Sequence, residues 1–322
     1  MRDTEFWPGL RVLVTGGTGF LGRAVRAALE ARGADDVVAP SSQEYDLRRA
    51  DQTAAMFDDI RPSLVIHLAA RVGGIGANQE RPADLYLENL LMGTYVIEEA
   101  RRHETTKTVV VGTICSYPKL TPVPFREESL WQGFPEETNA PYGIAKLAQL
   151  VQAQANRAQY GQNCIYLMPT NLYGPGDKFH PAVSHVIPAL IRKCVEAEAW
   201  GADHIDVWGT GSASREFLYV DDAAEGVLLA AEHYNEPAPV NLGANVEMPM
   251  TELVSRIVDL VGFKGEIRWD TSKPDGQPRR RVDSSRAAQS FGFKPRTSFE
   301  DGLRQTLDWY RTHRVEAEAK AL

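Results

Sequence analysis

Arg11 to Gly22 reads RVLVTGGTGFLG. Three apolar residues, Val12 to Val14, lead to Thr15 and then to Gly16, Gly19 and Gly22, after which an Ala-, Leu- and Arg-rich segment begins. The pattern predicts a strand, a tight turn and a helix. Spaced glycines at such a turn let a pyrophosphate approach bare backbone at a helix N-terminus, where unpaired N–H groups and the positive end of the helix dipole favour an anion. Three glycines in a chain that holds 26 also suit a plain turn. Position separates the two readings, because this stretch opens a series in which strands and helices alternate.

Working outward, Gly19 to Arg32 carries Phe20, Ala24, Ala27, Ala28 and Ala31 at helical spacing and stops at Gly33, a C-cap signal. Strands are expected at Val37–Ala39, Leu64–His67, Thr108–Val111 and Cys164–Met168, separated by helices over Arg49–Asp59, Asp84–His103 and Tyr142–Tyr160. This alternation predicts an α/β fold: a doubly wound parallel sheet of Rossmann type, covered by helices on both faces. After Pro169 the rhythm changes. Turn-rich sequence from Asn171 to Pro188 leads into a helix to Ala197, then strands near Ile205–Trp208 and Phe217–Val220, a helix over Asp221–Tyr234 and a strand at Val240–Leu242. From Met250 the order is helix, strand, loop and two helices. The expected division is a dinucleotide-binding domain over residues 1–172, with 217–243 returning to it, and a smaller substrate-binding lobe from 173–216 and 244–322. Val315 to Leu322 are expected to fray.

Composition narrows the function. A chain of 322 residues with 43% hydrophobic content suits one large domain plus a smaller lobe. A net charge of −8 argues against nucleic acid as the partner, since such proteins present a basic face. Cys115, Cys164 and Cys194 are too few and too scattered for a disulfide framework or a zinc site, so no metal is expected. MRDTEFWPGL at the start lacks an apolar h-region, and no apolar run approaches the ~20 residues that cross a bilayer. The expectation is a cytoplasmic protein with no membrane partner.

The second strand ends in Pro40, Ser41 and Ser42, with Arg23, Arg48 and Arg49 near it in the chain. NAD sites usually place Asp or Glu there and NADP sites Arg; the missing carboxylate points toward NADP and leaves NAD open. His67, Ala69, Ala70 and RVGGIG (Arg71–Gly76) close the third strand, either as small residues that admit the cofactor or as a Gly-rich connection. Thr113 follows the fourth strand, and Tyr142 and Lys146 lie four apart on one helix face. An ammonium beside a phenol is expected to draw the phenol's pKa down from about 10 toward a useful acid or base, while the Thr113 hydroxyl meets a substrate carbonyl. A Tyr-x-x-x-Lys pair alone means little; after a dinucleotide loop and beside Thr113 it points to hydride chemistry.

These residues carry a resemblance. TGGTGFLG, Thr113 and YGIAK (Tyr142–Lys146) resemble the extended short-chain dehydrogenase/reductase family. VGGIGAN (Val72–Asn78), GTICSYPK (Gly112–Lys119), PTNLYGPGDKFHP (Pro169–Pro181), SHVIPALIRK (Ser184–Lys193), VWGTGSASREFLYVDD (Val207–Asp222) and KPDGQPRR (Lys273–Arg280) are similar to its GDP-L-fucose synthase branch. The resemblance covers about residues 10 to 312 of the chain. It implies an enzyme that epimerises a GDP-linked 4-keto-6-deoxy sugar at C3 and C5 and reduces it at C4 with NADPH. Tyr142 is then the proton donor, supported by Lys146 and Thr113, and Cys115 and His185 exchange the C3 and C5 protons. A ketone at C4 acidifies both neighbouring C–H bonds, and a thiol and an imidazole each exchange protons near neutrality.

The resemblance implies cofactor contacts from Gly16, Gly19, Phe20, Leu21, Gly22 and Ser41, and from Ala69, Ala70, Tyr142, Lys146, Pro169, Asn171 and Leu172. It implies substrate contacts from Asn171, His185, Val186 and Lys193, with Trp208 stacking a base and Arg215 and Arg280 meeting pyrophosphate or sugar hydroxyls. Two long helices, Asp84–His103 and Tyr142–Tyr160, show more apolar surface than a sheet face needs, which in this family means a homodimer. Three departures leave the sugar open. Thr18 stands where Arg is common, Thr113-Ile114-Cys115-Ser116 replaces Ser-Ser-Cys-Ile, and Glu196–Ile205 is acidic. A deoxyheptose, a colitose precursor or a secondary-metabolite sugar fits as well, as do an epimerase with no net redox change and a dinucleotide-sensing module without turnover.

Overall fold

In a computed structural model, which describes residues 6–273 and 275–319, Val12, Leu13 and Val14 form the buried heart of the first strand. The chain runs β1 (Arg11–Thr15), α1 (Phe20–Glu30), β2 (Asp36–Val38), α2 (Ala50–Ile60), β3 (Leu64–His67), α3 (Ile75–Glu80), α4 (Pro82–Arg102), β4 (Lys107–Val111), α5 (Ala140–Tyr160) and β5 (Cys164–Pro169). It continues through β6 (Asn171–Tyr173), α6 (Val186–Trp200), β7 (His204–Trp208), β8 (Ser214–Tyr219), α7 (Val220–His233) and β9 (Val240–Leu242). The last elements are β10 (Glu247–Pro249), α8 (Met250–Val261), β11 (Glu266–Asp270), β12 (Arg279–Arg280), α9 (Ser285–Phe291), α10 (Phe299–Thr312) and α11 (Arg314–Ala319).

Six strands make one parallel sheet in the order β2-β1-β3-β4-β5-β9. Its strands are near-continuous apolar runs because helices cover both faces. On one face α1, α7 and α9 bury Val25, Leu29, Val227 and Phe291 against it; on the other, α2, α4 and α5 bury Met56, Phe57, Val96 and Leu150. From β1 the chain turns one way to β2 and then crosses to β3 on the other side, so the C-terminal ends of β1 and β3 flank the crevice where such sheets take ligands. A second core, around Phe179, Ile187, Ile191, Val254, Ile257 and Tyr310, joins α6, α8 and α10. There β8 pairs with β6, β10 and β12, and β7 pairs with β11. The α/β fold with a parallel Rossmann-like sheet is therefore as the strand and helix rhythm predicts.

Three local expectations change. The Gly-rich stretch after β3 winds into α3, and Asn171–Tyr173, expected as turn, pairs with β8 as a strand. Val315 does not begin a frayed tail: α11 seats Ala317 in the second core, and its carbonyl accepts the Phe179 N–H at 3.2 Å. Ala317 is small and apolar at the one position of that turn that meets the core, which is enough to dock it. The remainder of the expected tail, 320–322, and residues 1–5 of the N-terminal stretch lie outside the described residues, as does Pro274 of the KPDGQPRR motif.

Candidate active site

The glycine turn after β1 is held by close packing. Gly16 has φ +70°, and a Cβ there would stand 2.8 Å from the Ala69 amide nitrogen; a Cβ at Gly22 would strike the Gly16 carbonyl. Gly19 caps α1 with no side-chain hydrogen bond, and no acidic side chain enters the first turn. First-turn N–H groups and the helix dipole there face a cradle bounded by Ala69, a donor set that fits a dinucleotide pyrophosphate. Half-buried Phe20 and Leu21 form the same first turn. At the base of the cradle Thr15 Oγ1 and His67 Nδ1 are 2.7 Å apart. His67 is fully buried, its Nε2 has no partner among the described residues, and burial followed by the charge of Lys146 holds its pKa well below the ordinary imidazole value. Pro169 closes β5, and Leu172 is half-buried on β6 just beyond it.

The end of β2 departs from expectation. A carboxylate is present there, supplied from three residues further on: Glu44 Oε2 accepts from the Ser41 N–H at 2.7 Å and from its hydroxyl at 2.8 Å. The turn after β2 folds back on itself, which the strand end alone does not reveal. Both Ser41 bonds lower the Glu44 pKa, so the group is ionised. Three arginines expected near β2 are occupied. Arg48 pairs with Asp46 and Glu88, Arg49 with Asp51, and Arg23 with the Thr18 carbonyl and Glu316.

Thr113, Cys115, Tyr142 and Lys146 meet at the ends of β4 and α5. Thr113 caps the short 3-10 turn Ile114–Ser116, its hydroxyl accepting from the Cys115 N–H at 3.2 Å and also hydrogen-bonding the Tyr142 phenol. Gly143 lets α5 close on this turn, where a Cβ would strike the Cys115 carbonyl, and the Ser116 hydroxyl ties the two by donating to the Gly143 carbonyl at 2.9 Å. Lys146 is 1% exposed, and burial pushes its pKa down to about 7. Tyr142 goes the opposite way from expectation. Its pKa is raised by burial and then by the neighbouring Cys115, and only the Thr113 bond opposes the rise. Loss of water disfavours both the phenolate and the ammonium, and in this corner it outweighs the attraction expected between them. The phenol therefore keeps its proton.

The Cys115 sulfur is half-buried between two polar groups. Its S–H donates to Asn139 Oδ1 at 3.7 Å, and Arg280 Nη1 donates to the sulfur at 3.6 Å. Asn139 Oδ1 also accepts from Asn78 Nδ2 at 2.9 Å. Asn78 ends a short bridge toward His185. The Asn78 N–H donates to the Gly74 carbonyl at 3.1 Å, and Gly74 packs so close to the Ser184 carbonyl that a Cβ would stand 2.9 Å from it. His185 is the exposed residue before α6, with no hydrogen bond to Cys115 or Tyr142 among the described residues, and Val186 begins the helix. Neighbouring groups that crowd the imidazole, followed by the charge of Lys178, lower the His185 pKa, although part of the residue stays exposed.

Residues expected to meet substrate divide into two sets. Arg280 is buried opposite Arg215 in the β12–β8 pairing and donates to Gln277 Oε1 at 3.2 Å. Arg215 donates to the Ser214 and Asp275 carbonyls, and burial followed by Arg280 brings its pKa down to about 10. Trp208 is 57% exposed at the end of β7, with Lys273 Nζ 5.5 Å from its ring centre, so an aromatic face is on offer. The other set is engaged in structure. Lys193 Nζ donates to the Asp206 carbonyl at 2.7 Å, bracing α6 on β7, and Asn171 Nδ2 donates to the Glu216 carbonyl at 2.9 Å.

Asn78, Asn139 and Glu136 were not singled out from sequence, although Thr138-Asn139 stands immediately before the α5 motif and offers a signal in retrospect. Among the described residues no three His, Cys, Asp or Glu side chains converge as a metal site, and no helix is long and apolar enough to cross a membrane.

A glycine cradle at the head of a parallel sheet, with a hydroxyl, a phenol and an amine buried together beside it, defines a dinucleotide-dependent α/β enzyme. The pattern of the NAD dependent epimerase/dehydratase family matches residues 12–243, and the chain belongs to that family. It is 43% identical to GDP-L-fucose synthase 1 of Arabidopsis thaliana over 93% of each chain. Its fold matches a GDP-L-fucose synthetase from Naegleria fowleri bound to NADP, with a TM-score of 0.87 and 30% identity over 95% of both chains. It matches equally a GDP-6-OMe-4-keto-L-xylo-heptose reductase from C. jejuni, at TM-score 0.89 and 27% identity, covering 94% of this chain and 97% of that one.

Proposed function

We propose that this chain is a GDP-L-fucose synthase, converting a GDP-4-keto-6-deoxy-hexose by epimerisation at C3 and C5 and reduction at C4. The observation that carries the reading is the placement of the Cys115 thiol in the same corner as Thr113 and Tyr142, within electrostatic reach of the phenol. Plain reduction needs the phenol and the amine; a thiol beside them adds a second proton-exchanging group. Relatives of that name at about 40% identity over nearly the whole chain support it.

Residues around Gly16, Gly19, Gly22 and Ala69 would hold the dinucleotide, with Lys146 at its ribose, and when bound it supplies the hydride for C4. Cys115 and His185 exchange the protons at C3 and C5. Thr113 and Tyr142 donate to the C4 oxygen as it gains negative charge, an arrangement that stabilises an enolate. Because burial keeps Tyr142 protonated, its proton is available for the C4 oxygen as the ketone becomes an alcohol. Arg215 and Arg280 neutralise the pyrophosphate, Trp208 stacks the base, and the GDP moiety lodges in the lobe of 173–216 and 244–322. A homodimer is supported by an apolar groove of about 510 Å³ between the starts of α4 and α5, lined by Tyr86, Phe134, Pro141 and Ile144, with Leu87 and Val151 exposed on the same helices.

NADPH is the reductant of this reading. One observation favours NADH as a second: the ionised Glu44 at the end of β2, with Arg23, Arg48 and Arg49 already paired. The test is a screen of GDP-, UDP-, CDP- and dTDP-linked 4-keto sugars, heptoses included, with each reduced cofactor, following loss of nicotinamide absorbance. Turnover confined to a GDP-4-keto-6-deoxy-hexose is expected. Turnover of only a GDP-heptose, or epimerisation with no cofactor consumed, would replace the assignment.

A further inference from the structure

Asn139 stands at the N-cap of α5, a place where asparagine usually accepts a first-turn N–H. It makes no such bond. Its side chain is turned sideways: Nδ2 donates to Glu136 Oε2 at 2.5 Å and to Thr138 Oγ1 at 3.3 Å, while Oδ1 accepts from Asn78 and from the Cys115 S–H. The orientation is dictated. An ionised carboxylate only accepts hydrogen bonds, so the amide nitrogen must face Glu136 and the oxygen must face Cys115. Although burial pushes the Glu136 pKa upward, bonds from Thr138 and Asn139 hold it below the ordinary value. A thiol between an obligatory acceptor, Asn139 Oδ1, and an obligatory donor, Arg280 Nη1, has its proton and its lone pair pointed in fixed and different directions.

We infer that Asn139, oriented by Glu136, is a positioning residue that fixes the direction of the Cys115 S–H bond and so serves proton exchange with the sugar without serving hydride transfer. The inference rests on the proposed role of Cys115. Asn139 reaches that thiol and Asn78; neither its oxygen nor its nitrogen bonds Thr113, Tyr142 or Lys146 among the described residues. The amide oxygen accepts the S–H and Arg280 donates to the sulfur, so a variant that removes the amide changes where the thiol proton points.

The experiment uses the full chain and the variants Asn139→Asp, Asn139→Ala and Glu136→Gln, with Cys115→Ser as the blank. The first readout, alkylation by iodoacetamide as a function of pH, needs no substrate, and Cys164 and Cys194 are buried, so it reports on Cys115. Asn139→Asp is expected to move the alkylation midpoint up by about one pH unit or more, because a like charge disfavours the thiolate. Asn139→Ala is expected to move it down, and Glu136→Gln, which keeps the packing but leaves the amide free to turn over, moves it by less. The second readout compares solvent-deuterium incorporation into GDP-4-keto-6-deoxymannose with oxidation of GDP-L-fucose by NADP. Asn139→Ala should lose about tenfold or more of the first, as misaimed catalytic groups do, and stay within about threefold of wild type in the second. An unmoved midpoint in both Asn139 variants, or equal losses in the two reactions, overturns the inference. No exchange by the wild-type enzyme would instead overturn the assigned reaction and leave the alkylation result standing.

Discussion

Arginines near β2 and those between β8 and β12 are treated in opposite ways. Around β2, Arg23, Arg48 and Arg49 each lie against a carboxylate, and Glu44 adds another negative charge at Ser41. Between β8 and β12, Arg215 and Arg280 lie side by side, and among the described residues neither forms an ion pair; their bonds go to carbonyls, an amide oxygen and the Cys115 sulfur. Arg279, next in the chain but outward-facing, pairs with Glu247. Holding two largely desolvated cations without an ion pair among the described residues costs stability, which fits the proposed pyrophosphate partner. At β2 the charges of Arg23, Arg48 and Arg49 are already balanced by carboxylates.

Breaking the uncompensated end should have the largest effect. Arg280→Met removes both an anion partner and the donor to Cys115, and kcat/KM should fall at least about 30-fold, as expected for loss of a buried charged partner; a loss under threefold would show that the pair faces no substrate charge. Arg215→Met should raise KM about tenfold with kcat nearly kept, and should raise the Tm of the ligand-free protein, because a desolvated charge is gone. A lowered Tm would mean that the guanidinium is a structural brace through its bonds to Ser214 and Asp275.

The satisfied end sharpens the contrast. Glu44→Gln should shift the kcat/KM ratio toward NADPH by about fivefold, one like charge removed from near a phosphate, whereas Arg48→Met should leave that ratio within about twofold. Equal effects of the two would place the ribose elsewhere. A separate test, of stability rather than turnover, concerns Lys146, a third cation without an ion-pair partner among the described residues. Its folded pKa of about 7 lies below the model-peptide value of 10.5, so between those values the unfolded chain holds a proton that the native chain lacks. Native stability then rises with pH across that window and falls as pH drops through 7. Lys146→Met should therefore melt above the wild type at pH 7, with the gap shrinking by pH 9; a constant gap would mean that the amine is charged when folded.

Much of this was readable from the chain because periodicity and turn chemistry are local. Val12–Val14, Leu64–His67 and Val240–Leu242 announce buried parallel strands, and a tyrosine and lysine four apart on a helix share a face wherever the helix lies. What escaped lies across distance. Glu44 reaches Ser41 through a backward turn, and Asn139 meets Cys115 only because Gly143 lets α5 close on the turn after β4. The direction of the Tyr142 shift escaped for a different reason: spacing reports which charges are near but not how much water is lost, and here desolvation dominates.

Cys115 as a proton-exchanging group is the centre of the account, and hydrogen exchange on the sugar reads it directly. GDP-4-keto-6-deoxymannose is incubated in D2O with the enzyme and oxidised dinucleotide, and deuterium at C3 and C5 is followed by NMR for wild type, Tyr142→Phe and Cys115→Ser. Incorporation by wild type, retained at least in part by Tyr142→Phe and lost by Cys115→Ser, is the expected result. Undiminished incorporation by Cys115→Ser would contradict it.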